Sequence, residues 1–105
     1  MVSTAADYAR FLQMFANGGQ LDGVRIISRK TIDLMTADHL PPDIKMGADM
    51  WRFEALEPSP RLGQGFGLGF AVRNDQGRSP LHGSPNDYYW GGAWGTYFWH
   101  DPRER

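Results

Sequence analysis

A chain of 105 residues has room for one domain, and a domain this small buries only about two-thirds of the surface its unfolded form exposes. Hydrophobic residues at 41% and aromatics at 13%, four tryptophans among them, exclude a disordered chain, because disordered segments lack the bulky groups that offset ordering entropy. Eleven Lys plus Arg against twelve Asp plus Glu leave a net charge of -1 with no basic run, which speaks against a nucleic-acid partner, and the lack of cysteine excludes disulfides, thiolate metal sites and a cysteine nucleophile.

No apolar run approaches the roughly 20 residues needed to span a bilayer, and the amino terminus lacks the pattern of a signal peptide. The chain therefore reads as soluble, with no membrane partner and its compartment left open.

Thr4 and Asp7 have capping-box spacing, and Tyr8, Phe11, Leu12 and Phe15 follow on one helical face, predicting a helix over about residues 5–16. Asn17-Gly18-Gly19 ends it, since glycine adopts the left-handed conformation of a helix end without steric penalty. A short turn, Leu21-Asp22-Gly23, comes next, and Val24-Arg25-Ile26-Ile27 is too short to decide between strand and extended loop. Ser28 then offers an N-cap for a second helix carrying Ile32, Leu34 and Met35 and ending near Ala37.

Leu40-Pro41-Pro42 closes that helix, and residues 41–64 hold four of the seven prolines with little periodicity, predicting a long irregular loop. From Phe66 to Arg73 the pattern alternates: Phe66, Leu68, Phe70 and Val72 on one side, Gly67, Gly69, Ala71 and Arg73 on the other. That reads as one strand with a bulky face and a bare face. Asn74 to Gly77 suits a turn, Ser79 to His82 an extended stretch, and Gly83 to Asp87 a loop. Two further strands, Tyr88 to Ala93 and Thr96 to His100, meet at a tight bend around Trp94-Gly95.

The expected fold class is α+β: two amino-terminal helices followed by a three-stranded antiparallel sheet. It forms one partial domain over 1–105, with a helical segment at 1–40, the irregular loop at 41–64 and strands at 65–105. The last strand is apolar and runs straight into Asp101-Pro102, so its open edge predicts a missing segment, self-association or aggregation.

The Trp90-Gly91-Gly92 segment resembles the third conserved element of the serine hydrolases related to class C β-lactamases, penicillin-binding proteins and the esterases that share their fold. β-Lactamases usually carry Lys-Thr-Gly there, and many esterase-like members look like Trp-Gly-Gly. Ser3 to Gly19, Ile26 to Leu40, Gly65 to Phe70 and Gly92 to Pro102 agree in the family's order. Taken alone the motif also fits a plain packed hairpin, and agreement over the flanking segments favours the site. The match is to the carboxyl-terminal portion of the family.

The resemblance implies that small residues at Gly91 and Gly92 let a substrate carbonyl approach the backbone. It makes the Ala93 N–H one of two oxyanion donors, the other belonging to the nucleophilic serine, and a donor of this kind is worth on the order of 10²- to 10³-fold in rate. Trp90 would line the acyl or alcohol pocket. Trp94 stands where relatives often carry alanine, so its ring would narrow the same space. The implied substrate is a small ester, a β-lactam or a peptidoglycan-like peptide, with no cofactor.

The departures are as specific as the match. The family's nucleophile lies in Ser-x-x-Lys, with Tyr-x-Asn or Ser-x-Asn completing the proton network. None of Ser3, Ser28, Ser59, Ser79 and Ser84 has a lysine three positions on, and Tyr-x-Asn is absent. Ser84-Pro85-Asn86 spells Ser-x-Asn but sits four residues before Trp90, whereas the family places that element far upstream. Lys30 follows Ser28 by two positions and so lies on another helical face. His39, His82 and His100 are 43 and 18 residues apart, without zinc-motif spacing. The glycines at 63, 65, 67 and 69 lack a phosphate-loop fingerprint and suit close packing.

The chain thus reads as the carboxyl-terminal part of a β-lactamase-like serine hydrolase, without turnover alone. The alternative is a small noncatalytic binding or assembly module that pairs through its open strand edge.

Overall fold

The computed structural model describes residues 2–44 and 58–104. Helix α1 covers Ala5–Ala16. Thr4 Oγ1 accepts the Asp7 N–H at 3.1 Å, the N-cap half of a capping box, while the Thr4 hydroxyl, in place of its amide, donates to Asp7 Oδ2 at 2.8 Å. At the other end the Gly19 N–H reaches Met14 O and the Gly18 N–H reaches Phe15 O. Both glycines have positive φ, which completes a Schellman stop.

Asp22 and Gly23 then take φ of 51° and 79°, the geometry of a two-residue hairpin turn. That turn pairs β1, Gln20–Leu21, with β2, Val24–Arg25, which makes the first half of the ambiguous stretch a strand and leaves Ile26-Ile27 outside it. Helix α2 covers Arg29–Met35, two residues shorter than expected, and Ser28 Oγ accepts the Thr31 N–H at 3.0 Å as its cap.

The expectation of a three-stranded sheet is overturned. Strand β3, Gln64–Phe66, and strand β4, Ala71–Arg73, pair antiparallel where one continuous strand is expected from the alternation. Gly67 N–H donates to Phe70 O at 2.8 Å and Gly69 takes φ 102°, so the chain reverses inside the alternating run. Phe-Gly alternation describes a face only while the backbone stays extended, and glycine lets it turn without a steric cost. With β5, Tyr88–Gly91, and β6, Tyr97–His100, the sheet has four strands in the order β3-β4-β5-β6. The β1-β2 hairpin is a second, separate sheet.

Ser79 to His82 follows a single 3-10 turn at Gln76–Arg78 without entering a ladder, and Ser79 is extended at φ -82° and ψ 132°. Of the long loop expected at 41–64, residues 45–57 lie outside the described residues, and Pro60–Leu62 forms another 3-10 turn.

The core lies between α1, α2 and one face of the sheet, built from Met14, Phe15, Ile32, Phe70, Val72 and Tyr88. Phe15 meets the Phe70 ring edge-on at 5.1 Å, and Tyr8 reaches Phe98 at 5.3 Å, so α1 lies across β4 to β6. The outer edge of β3 is closed by the exit from α2: Asp38 Oδ1 accepts the Phe66 N–H and Phe66 O accepts the His39 N–H. The bare glycine face makes this possible, because a Cβ on Gly65 would lie 2.0 Å from Asp38 Cγ and one on Gly67 2.1 Å from Met35 O. At the opposite side, β6 has no strand beyond it among the described residues.

Candidate functional site

The β5-β6 hairpin carries the residues singled out by sequence. Tyr88 pairs with His100 and Gly91 with Tyr97, and the ladder closes through Gly92 N–H to Thr96 O at 2.8 Å. Gly95 N–H donates to Gly92 O at 3.0 Å, and Gly95 takes φ 77°. Strand β5 stops at Gly91, two residues before the expected end. Gly92, Ala93, Trp94 and Gly95 therefore form a turn at the tip, and Ala93 is presented by that turn rather than by a strand.

Ala93 is exposed, and its amide has no acceptor among the described residues. Gly92 sits close to Thr96, whose Oγ1 would be 2.3 Å from an added Cβ, while the space around Gly95 is open. Trp90 is half-buried and meets the Phe66 ring edge-on at 5.0 Å. Trp94 is 97% exposed and packs on nothing. The structure thus brings Trp90, Gly91, Gly92, Ala93 and Trp94 together on one hairpin, with Trp90 set into the fold and Trp94 projecting from it.

Concave space lies elsewhere. An open cavity of about 370 Å³ sits between the helices and the far end of the β5-β6 ladder, against Phe15, Ile32, Tyr88 and His100. A smaller one of about 230 Å³ is lined by Asp38, Pro41, Gln64 and Arg78. Neither reaches residues 90–95.

The serines and histidines hold local roles. Ser28 caps α2. Ser79 Oγ accepts the Leu81 N–H, and Ser84 O accepts the Asp87 N–H in the turn that puts Asn86 at φ 73°, so Ser84-Pro85-Asn86 is a loop. His39 Nε2 contacts Leu34 O at 2.7 Å, and the His100 ring lies 4.9 Å from Tyr88. Among the described residues there is no group of three potential metal ligands.

One network escapes a reading of the sequence. On the sheet face away from the helices, Arg73 Nε donates to Asp87 Oδ2, Nη1 to Leu81 O and Nη2 to His82 O. Trp99 Nε1 donates to the same Asp87 oxygen at 2.8 Å. The only sequence signals for it are a charged residue ending the alternating run and another opening the aromatic strand. Beside it, burial pushes the Tyr89 hydroxyl up to about 12, with Tyr97 and Asp87 adding and Arg73 opposing. Burial raises Tyr97 as well. Neither phenol is a proton acceptor at neutral pH, so these two tyrosines offer hydrogen-bond donors and apolar surface but no base.

The sequence model of the Beta-lactamase family matches residues 1–105. The chain belongs to the Beta-lactamase family. It is similar to "Uncharacterized protein MT1414" of Mycobacterium tuberculosis strain CDC 1551 / Oshkosh, 37% identical over 107 residues that cover 95% of this chain and 24% of that protein. "Protein Rv1367c" of Mycobacterium tuberculosis strain ATCC 25618 / H37Rv is similar to the same extent, again 37% identical with 95% and 24% covered. This Beta-lactamase-family chain thus spans about a quarter of the length of the curated relatives it matches. Among its described residues no helix is long and apolar enough to cross a membrane.

Proposed function

We propose that this chain is the carboxyl-terminal part of a serine hydrolase that cleaves an ester or amide through an acyl-serine, and that it supplies the sheet wall and one oxyanion donor. The observation that carries the reading is the exposed Ala93 amide, unpaired and flanked by glycine at Gly92, at the position the family resemblance assigns to an oxyanion donor. In the complete enzyme, a serine outside this chain attacks the substrate carbonyl carbon and gives its proton to a neighbouring base. The Ala93 N–H holds the oxygen that gains charge. The bond to the alcohol or amine breaks as that group takes up the proton. Water then cleaves the acyl-serine, releasing the carboxylic acid and restoring the hydroxyl.

The reading assigns no turnover to the chain alone. A fluorophosphonate probe should leave its serines unlabelled and a chromogenic ester should remain intact. Adding the remaining portion of Protein Rv1367c in trans should produce ester hydrolysis that Trp90→Ala diminishes. Stoichiometric labelling of a serine in the isolated chain would overturn the assignment.

A second reading, a noncatalytic assembly module, draws support from β6, which has no strand beyond it among the described residues and carries the exposed Tyr97 and Trp99. Unpaired backbone groups on such an edge invite strand addition. Concentration-dependent dimerisation by sedimentation would favour it, and a monomer at all concentrations would remove it.

A further inference from the structure

The cavity of about 370 Å³ between the helices and the far end of the β5-β6 ladder has the size of a small-molecule site. Phe15, Ile32, Tyr88 and Pro102 give it apolar walls. Tyr88 is 2% exposed, and its ring is held 5.1 Å from that of Phe70 and 4.9 Å from that of His100. A phenol buried this deeply normally finds a hydrogen-bond partner, yet the Tyr88 hydroxyl has none among the described residues. Nor is it sealed: the buried side-chain atoms that are both closed off and unpartnered are Asp87 Oδ1 and Asp101 Oδ2. The Tyr88 oxygen therefore keeps access to open space, and the space that Tyr88 borders is this cavity.

The remaining lining sets the chemistry of an occupant. Burial holds the Tyr88 phenol protonated well beyond neutral pH, so it acts as a donor. Thr36 already gives its hydroxyl proton to Ile32 O at 2.9 Å, which leaves Tyr88 as the buried donor of the wall. Neither Lys nor Arg borders the cavity, and its one carboxylate is Asp33. A carboxylate entering here would lose hydration beside a like charge. A hydrocarbon would fill the walls but leave the phenol O–H without an acceptor.

We propose that this cavity is a second binding site, separate from the hairpin tip, for a small uncharged ring compound with an oxygen acceptor, a ketone or an alcohol. The ring packs among Phe15, Ile32 and Pro102 and the oxygen accepts the Tyr88 O–H. Because the ring of Tyr88 is fixed by its neighbours, little ordering of the protein opposes binding. The site is independent of the role of Ala93.

Isotope-labelled chain titrated with acetophenone, toluene and benzoate at pH 8, where an ordinary imidazole is neutral, tests this by NMR. Acetophenone should shift the Ile32 methyls and the amides of residues 32–37 and 100, leaving those of residues 91–96 in place. Tyr88→Phe removes a hydroxyl with no protein partner, so its thermal midpoint should match the parent. It should weaken acetophenone about fivefold, the worth of one neutral hydrogen bond, without weakening toluene. Benzoate should bind several-fold more weakly than acetophenone. Ala37→Leu, a change at an exposed lining position, should weaken both neutral probes by occupying the cavity. Unchanged acetophenone affinity in Tyr88→Phe would leave that hydroxyl to water and overturn the proposal, as would benzoate binding equal to acetophenone or shifts confined to residues 91–96. Loss of acetophenone binding when the remaining portion of Protein Rv1367c is added would make the cavity an interface instead, and would overturn it too.

Discussion

Arg73 Nε lies 2.9 Å from Asp87 Oδ2, and the two side chains are 3% and 0% exposed. The Arg73 guanidinium also holds the carbonyls of Leu81 and His82, so one cation ties the loop before β5 onto the sheet. Asp87 Oδ1 has no partner among the described residues, so the pair's net worth is modest even though each half depends on the other. Breaking a buried pair by removing one partner costs about 3–5 kcal/mol, because a desolvated charge is left behind. Asp87→Ala should therefore lower stability by about that much. Replacing both residues with Leu and Val should cost clearly less than the single changes summed. Urea unfolding of the four proteins measures the cycle, and additive losses would show that the pair is not coupled.

Close packing by glycine makes a second, graded expectation. A Cβ on Gly67 would stand 2.1 Å from Met35 O, a backbone atom that cannot swing aside. Gly67→Ala should cost at least about 1–3 kcal/mol, the usual range for overpacking. Gly23 has φ 79° with nothing within 4 Å of the added atom, so Gly23→Ala should show only the left-handed backbone penalty of about 1–2 kcal/mol. Gly65→Ala should resemble Gly67→Ala, since the Asp38 carboxyl it displaces also binds the Phe66 N–H and Leu40 N–H. Thermal unfolding should rank Gly23→Ala as the mildest of the three.

The two helices were legible because their information is local. Thr4 and Ser28 act as caps within three residues of the amides they satisfy, and Gly18 and Gly19 announce the stop. The sheet was less legible. Between Phe66 and Arg73 the same residues suit a strand or a hairpin, and what decides is Gly69 at positive φ with α2's exit lying on the glycine face. The hairpin at Asp22-Gly23 had a readable turn signal, but two-residue strands offer no periodicity to support it. The candidate cluster at residues 90–94 was legible as a group, since its five residues are consecutive. Its exposure and the Arg73-Asp87-Trp99 network were not, because contacts across strands depend on register that a sequence pattern alone leaves free.

Stability should fall at both ends of the pH range, for opposite reasons. Burial raises Tyr88 and Tyr89 above the ordinary 10.0, Tyr89 to about 12, so the folded chain keeps protons that the unfolded chain has lost. The contribution is complete below pH 10 and is lost as pH rises toward 12. Burial works to raise Asp101 too, but the Arg103 amide and the Ser84 hydroxyl outweigh it and hold that carboxyl below its ordinary value. Its contribution is present above the ordinary carboxylate range and disappears as pH falls through the lowered value. Tyrosinate absorbance followed with circular dichroism should show ionisation of Tyr88 and Tyr89 coinciding with alkaline unfolding. Titration of all four tyrosines near pH 10 in a folded chain would contradict the burial.

Two tryptophans of one hairpin should respond differently to removal, although both have exposed surface. Trp94 is 97% exposed with no packing partner, and Trp94→Ala should change stability by no more than about 0.5 kcal/mol. Trp99 is 46% exposed, yet its indole N–H ends on the buried Asp87 carboxylate at 2.8 Å. Trp99→Ala removes that donor and leaves the carboxylate with less compensation, a loss of about 1–3 kcal/mol. Trp99→Phe keeps most of the ring contact but not the N–H, so it should recover only part of the deficit. If urea melts instead show Trp99→Phe at parental stability, the indole hydrogen bond contributes nothing and Asp87 is held by Arg73 alone.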